Sequence, residues 1–198
     1  MVLGGGCEAG LTSWAPNFTA KVLGASPRAG AWATILYGSG MAVGRFASGY
    51  LVVRVRPLRL MMLSAVCCAA ATLGLTFVSA LWGAWSLFAL GGLFVACFWP
   101  TLLSVASDHI ATGSTSLFSL LAAAGVSGCV IVPWAIGRLA DAFDLRTAVL
   151  IHPALMVLLI AVLVVAMRLI GREPGPEPSA EGRRFPEDES PARPPAVL

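Results

Sequence analysis

Glu8 is the acidic residue set well inside an apolar stretch of this chain, and a carboxyl group in such a place is costly enough to imply a task. A carboxyl that meets water on one side of a membrane and apolar surroundings on the other takes up a proton and gives it back, so Glu8 reads as a proton-coupling group. The plainer reading is a helix-end carboxylate in a glycine-rich turn reached by water. Trp14, Phe98 and Trp99 have the aromatic faces and polar edges that line a cavity for a sugar ring or a flat molecule, although core packing or an interfacial belt uses the same residues. Asn17 adds a hydrogen-bonding group beside Trp14, and its Asn-Phe-Thr triplet is a glycosylation sequon only in a eukaryotic secretory route. Pro100 and Pro133 fall inside apolar helical runs, where a missing backbone donor bends the helix. Such bends either act as gates or are kinks satisfied by neighbouring helices.

Basic residues near the ends of apolar runs have bland uses as well. Arg45 is placed to snorkel its guanidinium to the headgroups, and Arg138 and Asp141, three residues apart, are placed to pair with each other. A different chemistry is suggested by Gly125-Val-Ser127-Gly128 with His152 on the next apolar run, since a nucleophilic serine needs a histidine within hydrogen-bond reach. The two are separated in depth by about 10 Å or more at the rise of a helix, which makes an intramembrane serine protease a remote alternative. The five cysteines lie in apolar runs without the paired spacing of a zinc site and read as small packing residues. No phosphate-cradling glycine loop, metal-ligand cluster or basic nucleic-acid face is present in the sequence, so no cofactor, metal or nucleic-acid partner is expected and the chain does not read as an enzyme.

The elements that must position these residues are membrane helices. Of 198 residues 58% are hydrophobic and 12% charged, against about 25% charged in a soluble domain. Spanning runs need roughly 20 apolar residues. Residues 31–53, 58–78, 81–106, 116–136 and 147–170 meet that length, and a sixth run over 1–19 is shorter and glycine-rich. Strands are excluded because the runs are too long and do not alternate. The expected fold is therefore all-α and integral to the bilayer, with six transmembrane helices over 1–170. The first run lacks a signal peptide's basic lead-in and cleavage site, and it reads as a chain starting partway through a helix. Residues 171–198 hold seven prolines among mixed charges and are expected to be a disordered cytoplasmic tail.

Arginines in short loops mark the cytoplasmic side. Arg54, Arg56 and Arg59 between the second and third helices share a side with Arg168, Arg172, Arg183, Arg184 and Arg193 after the sixth, which places the C-terminus in the cytoplasm and the protein in a plasma membrane, most simply a bacterial inner membrane. The pairs Gly6/Gly10 and Gly40/Gly44 have the small-xxx-small spacing that lets helix backbones approach. Gly44-Arg45-Phe46-Ala47-Ser48 is echoed by Gly137-Arg138-Leu139-Ala140-Asp141. The echo is offset by three helices, an odd number, so the expected arrangement is two inverted three-helix repeats, a construction recurrent in secondary transporters.

Four motifs in this order and spacing carry a family resemblance: Gly6-x-Glu8-x-Gly10-x-x-x-Trp14, Gly40-x-x-x-Gly44-Arg45-x-x-x-Gly49, Phe98-Trp99-Pro100-Thr-Leu-Leu103, and Pro133-Trp134-x-x-Gly137-Arg138-Leu-Ala-Asp141. Over residues 1–170 the chain resembles the C-terminal six-helix half of a major facilitator superfamily transporter, of the sugar-porter-like or drug-porter-like bacterial kind. The resemblance implies proton-coupled symport of a small solute by alternating access, and a latch between Arg45 and Asp108 or between Arg45 and the other half. Ser48 stands where the family's loop motif often has Asp, and Asp144 where Gly is commoner. Family members have twelve helices, so the implied partners are the lipid bilayer, the solute, and a missing N-terminal six-helix half or a second copy. The alternative is a non-transporting fragment or assembly subunit.

Overall fold

The computed structural model describes residues 1–109 and 115–170, with only the backbone given for 107–109 and 170. Among the described residues there are eight helical segments and no strand: α1 Val2–Val22, α2 Pro27–Leu51, α3 Pro57–Phe77, α4 Leu81–Val95, α5 Phe98–His109, α6 Thr115–Ala142, α7 Leu145–Ala148 and α8 Ile151–Ile170. Four rods are long and apolar enough to cross a membrane: 57–77, 81–106, 115–142 and 145–169. The first two helices have the length, 21 and 25 residues, but are diluted by glycines and by Glu8, Asn17, Lys21, Arg28 and Arg45. The expected tail, 171–198, lies outside the described residues.

Helix ends move relative to the sequence reading for local reasons. The first helix runs to Val22 instead of stopping near residue 19, because Pro16, whose missing N–H strands the Thr12 carbonyl, does not end it. The second starts at Pro27 instead of residue 31: Ser26 caps it by accepting from the Ala29 N–H at 3.3 Å, and Pro27 sits at N1, where a proline sacrifices no bond. The fifth extends to Ala142, so the whole Gly137–Asp141 segment is helical. Asp144 then caps the next turn, accepting from the Thr147 N–H at 2.7 Å and from its hydroxyl at 2.8 Å. The Thr147 N–H and hydroxyl beside it hold the Asp144 carboxyl below the usual carboxylate range.

Two of the long rods are broken. Pro100 lies within the 81–106 rod, whose interruption falls at Ala96–Cys97, so that Pro100 is in the first turn of α5. A proline cannot donate to the carbonyl four residues back, and its ring crowds that carbonyl, which here is Ala96. The same spacing recurs at the α7–α8 break, where Pro153 lies four residues after Val149. Pro133, by contrast, sits within an unbroken α6.

Glycines decide which helices pair. On the α2–α4 contact a Cβ at Gly40 would fall on the Ala89 carbonyl oxygen, one at Gly44 on that of Leu93, and one at Gly92 on that of Tyr37. Along α1–α6, Gly5 lies against the Gly125 carbonyl and Gly128 against that of Val2. Backbones this close gain dispersion contacts that bulkier residues would prevent. Behind these pairs a core forms from Cys7, Leu11, Phe18, Met61, Leu75, Phe88 and Met156 among others, with the Phe18 and Phe88 rings edge-to-face at 6.0 Å. Arg146 closes the far end, donating to the Thr76 carbonyl in the last turn of α3 at 2.9 Å.

Candidate functional site

The site is built on α1, which touches α2, α4, α6 and α8. Three of its exposed residues, Ser13, Asn17 and Lys21, recur every fourth position and so form one stripe of the helix. A polar stripe is a poor lipid-facing surface, and it marks a side of α1 turned toward water or toward another polar surface. By contrast the exposed positions of α6 are mostly apolar, among them Leu120, Val126, Val130, Ile131 and Trp134, as are Ile35, Val43 and Phe46 of α2.

Glu8 lies toward α2. Its Oε1 accepts from Arg45 Nη2 at 3.4 Å, the one ion pair among the described residues, with the side chains 20% and 55% exposed. Antiparallel geometry puts them level: Glu8 is six residues after Val2 and Arg45 six residues before Leu51, each about 9 Å along its helix from the same end of the bundle. The Glu8 backbone carbonyl accepts from the Tyr37 hydroxyl at 3.2 Å and the Thr12 hydroxyl at 2.9 Å. Those two hydroxyls are thereby spent on the backbone. The other carboxylate oxygen, Oε2, is buried and has no partner, and the same holds for the Thr34 hydroxyl on α2. A carboxylate with one buried, unanswered oxygen is unstable as a permanent arrangement and is suited to taking a proton or a ligand.

The other sequence-selected residues distribute around this pair. Trp14 lies toward α6, its Nε1 donating to the Pro133 carbonyl at 3.0 Å, so that proline's residue serves as an acceptor joining α1 to α6. Gly137 packs beside the Trp14 ring as well. Phe98 and Trp99 are brought together away from Asn17: they line a small apolar cleft with Gly4, Gly5, Met61, Leu102 and Leu159, where Phe98 covers Gly4 and Trp99 lies on Gly125. Gly44, next to Arg45 in the chain, lies against the Leu93 carbonyl of α4. The expected Arg138–Asp141 pair does not form; both are exposed and not bonded to each other, since an exposed pair gains little against its side-chain entropy. Arg45 is engaged by Glu8 and not by the latch partner Asp108, whose side chain lies outside the described residues.

No hydrogen bond joins Ser127 to His152. Ser127 Oγ donates to the Ala124 carbonyl at 2.7 Å. His152, buried, donates from Nδ1 to the Val149 carbonyl at 3.0 Å, which is the carbonyl that Pro153 leaves without its helical donor. His152 Nε2 has no partner and faces Gly10, where a Cβ would stand 2.6 Å away. Among the described residues no group of three or more His, Cys, Asp or Glu side chains is placed to hold a metal ion. Sequence reasoning missed the Glu8–Arg45 pairing and the seat of His152 on α1. A signal for the first was present in the equal distances of the two residues from same-side helix ends.

A family model described as Major Facilitator Superfamily matches residues 1–197. The chain belongs to the major facilitator superfamily. Members of the superfamily are membrane transporters, and the long apolar helices make this chain an integral membrane protein of that kind. No curated protein and no solved structure gave a significant match. Within the superfamily frame, Glu8 and Arg45 are an ionisable pair joining two helices of a transporter, Glu8 mostly covered and Arg45 half exposed, and intramembrane charges mark substrate and ion pathways.

Proposed function

We propose that the chain is a six-helix half of a secondary active transporter, and that it moves a small solute by alternating access coupled to protons through Glu8. The observation that carries this reading is the Glu8 carboxylate, joined to Arg45 through Oε1 while Oε2 is buried without a partner. Losing the proton gives a carboxylate that Arg45 holds; gaining it frees Arg45, so protonation and the α1–α2 contact are linked. The polar stripe of Ser13 and Asn17 supports a solvated cavity in front of α1, with Trp14 at its α6 edge. The uncovered apolar positions of α2 and α6 suit a second half or a second copy closing over that cavity. Phe98 and Trp99 are assigned a role in shaping its cytoplasmic floor, and the α4–α5 break ahead of Pro100 a role as hinge.

An inverted repeat is supported by the pattern of helix pairs. Exchanging the first three spans for the last three turns the α2–α4 pairing into the α6–α1 pairing and leaves α3–α8 unchanged, and all three pairings are present. The exposed turn carrying Arg54, Arg56 and Arg59 supports a cytoplasmic position for that end and, with it, for the C-terminus in a bacterial inner membrane. The reading is tested with Glu8→Gln in vesicles: uptake driven by a pH gradient is lost while solute exchange persists. Undiminished gradient-driven uptake by the variant removes Glu8 from the coupling.

A further inference from the structure

We infer that the solute recognised at this site is a small organic anion, a carboxylate, which replaces Glu8 on Arg45 when Glu8 takes up a proton. This rests on the transporter reading above and specifies its substrate class. A guanidinium has five N–H donors in a rigid fork. Only one contact to Glu8 is made, at 3.4 Å, which is longer than the 2.7–2.9 Å typical of a charge-assisted bond. Arg45 is 55% exposed, so the remaining edge of its fork is open to a ligand. A carboxylate bound there in the two-point manner makes a better contact than Glu8 does.

Among the described residues no cation other than Arg45 is paired with Glu8. Facing it from α2 are Arg45 and Tyr37, and the Tyr37 hydroxyl is committed to the Glu8 carbonyl. From α6 comes Cys129, whose thiol donates to the Gly5 carbonyl, while Arg138 and Asp141 lie at the far end of that helix. From α3 comes Cys68, which lies against Cys7. The α4 helix has no titratable residue, Arg146 of α7 is bonded to the Thr76 carbonyl, and His152 of α8 faces Gly10. On α5 the side chains of Asp108 and His109 lie outside the described residues. Two carboxylates on one guanidinium carry a net negative charge, one of them on the mostly covered Glu8, and a proton taken from solution by Glu8 brings the set to neutrality. Solute and proton therefore bind together, one of each, with no net charge moved and no covalent bond altered beyond the O–H formed on Glu8. A neutral sugar would leave the freed Arg45 uncompensated.

The test uses matched probes on the full chain in lipid nanodiscs, with thermal stabilisation or calorimetry as readout: D-glucuronate against D-glucose, and lactate against lactamide, at about pH 5.5 and about pH 8. The expected result is binding of the carboxylate of at least one pair and not of its neutral counterpart, weakening about tenfold per pH unit once Glu8 ionises, as one linked proton requires. Glu8→Gln, which cannot ionise, should bind the anion equally at both pH values. Arg45→Gln should lose it, and Arg45→Lys, which keeps the charge and removes the fork, should weaken it while remaining folded. Equal binding of neutral and anionic partners, or anion binding that survives Arg45→Gln, overturns the anion inference and leaves proton-coupled transport standing. Absence of binding by every probe also overturns it, and the gradient-driven uptake of the Glu8→Gln variant then decides the transport reading separately.

Discussion

Removing either member of the Glu8–Arg45 pair should destabilise the protein unequally, and the inequality follows from exposure. At 3.4 Å two unit charges attract by about 1 kcal/mol in water and about 5 kcal/mol at an effective dielectric of 20. With Arg45 half in solvent and Glu8 four-fifths covered, a coupling energy of about 2 kcal/mol is expected, above the range of fully exposed pairs. Arg45→Gln leaves a mostly covered carboxylate with both oxygens short of partners and should cost about 3 kcal/mol, the lost coupling together with about 1 kcal/mol for the unanswered acceptor. Glu8→Gln leaves an exposed guanidinium that can reach water along its own stem, and should cost about 1 kcal/mol. The double variant should cost about 2 kcal/mol, so that the cycle closes on the coupling energy. Denaturation in mixed micelles followed by circular dichroism measures all four species. At pH low enough to protonate the unpaired Glu8, the Arg45→Gln penalty should shrink. A coupling below about 0.5 kcal/mol, or a Glu8→Gln variant less stable than Arg45→Gln, would refute the assignment of the pair as a held contact.

Gly40→Val should cost at least about 2 kcal/mol through overpacking of α2 on the Ala89 carbonyl, whereas Gly38→Ala, with open space at its Cβ, should be neutral or stabilise by about 0.5–1 kcal/mol; the same micelle titration compares them. Pro100→Ala restores an N–H opposite the Ala96 carbonyl, so α4 and α5 should fuse and the amide at residue 100 should become protected in hydrogen exchange; a turn that persists at Ala96–Cys97 would show that proline is not its cause. Asp144→Ala should lower the melting temperature at neutral pH. Because the native Asp144 carboxyl is held below its usual range, its contribution is complete above about pH 4, the unfolded value, and fades as the pH falls through the lower native one; a difference from wild type that instead grows with acidity would contradict the capping role.

Run length and apolar content made the long helices legible, because a bilayer demands about 20 residues in each. They did not fix where helices end, since ends are set by single residues acting locally: the Ser26 side chain with Pro27, the Asp144 carboxylate, and the prolines at 100 and 153, which cannot donate to the carbonyls of Ala96 and Val149. Glu8 stood out as an expensive residue, but its partner did not. Arg45 reads from sequence as a headgroup contact or a latch, because neighbour relations between helices depend on glycine contacts such as Gly5 with Gly125 and Gly44 with Leu93, which act across dozens of intervening residues. Phe98 and Trp99 look alike to Trp14 in composition, yet they are held by α1 and α6 glycines in an apolar cleft, while Trp14 spends its polar edge on Pro133.

The seat of His152 gives the bundle a resident spectroscopic label. A carbonyl only accepts, so the bond to Val149 fixes the ring hydrogen on Nδ1 and leaves a bare lone pair on Nε2 pointed at the α1 backbone beside Gly10. Nitrogen chemical shifts of the two ring atoms should therefore be widely split and constant while α1 rests on α8. Any step of the working cycle that lifts α1 away would admit water to Nε2 and move its resonance alone, and so the opening of this seam can be timed without attaching a probe.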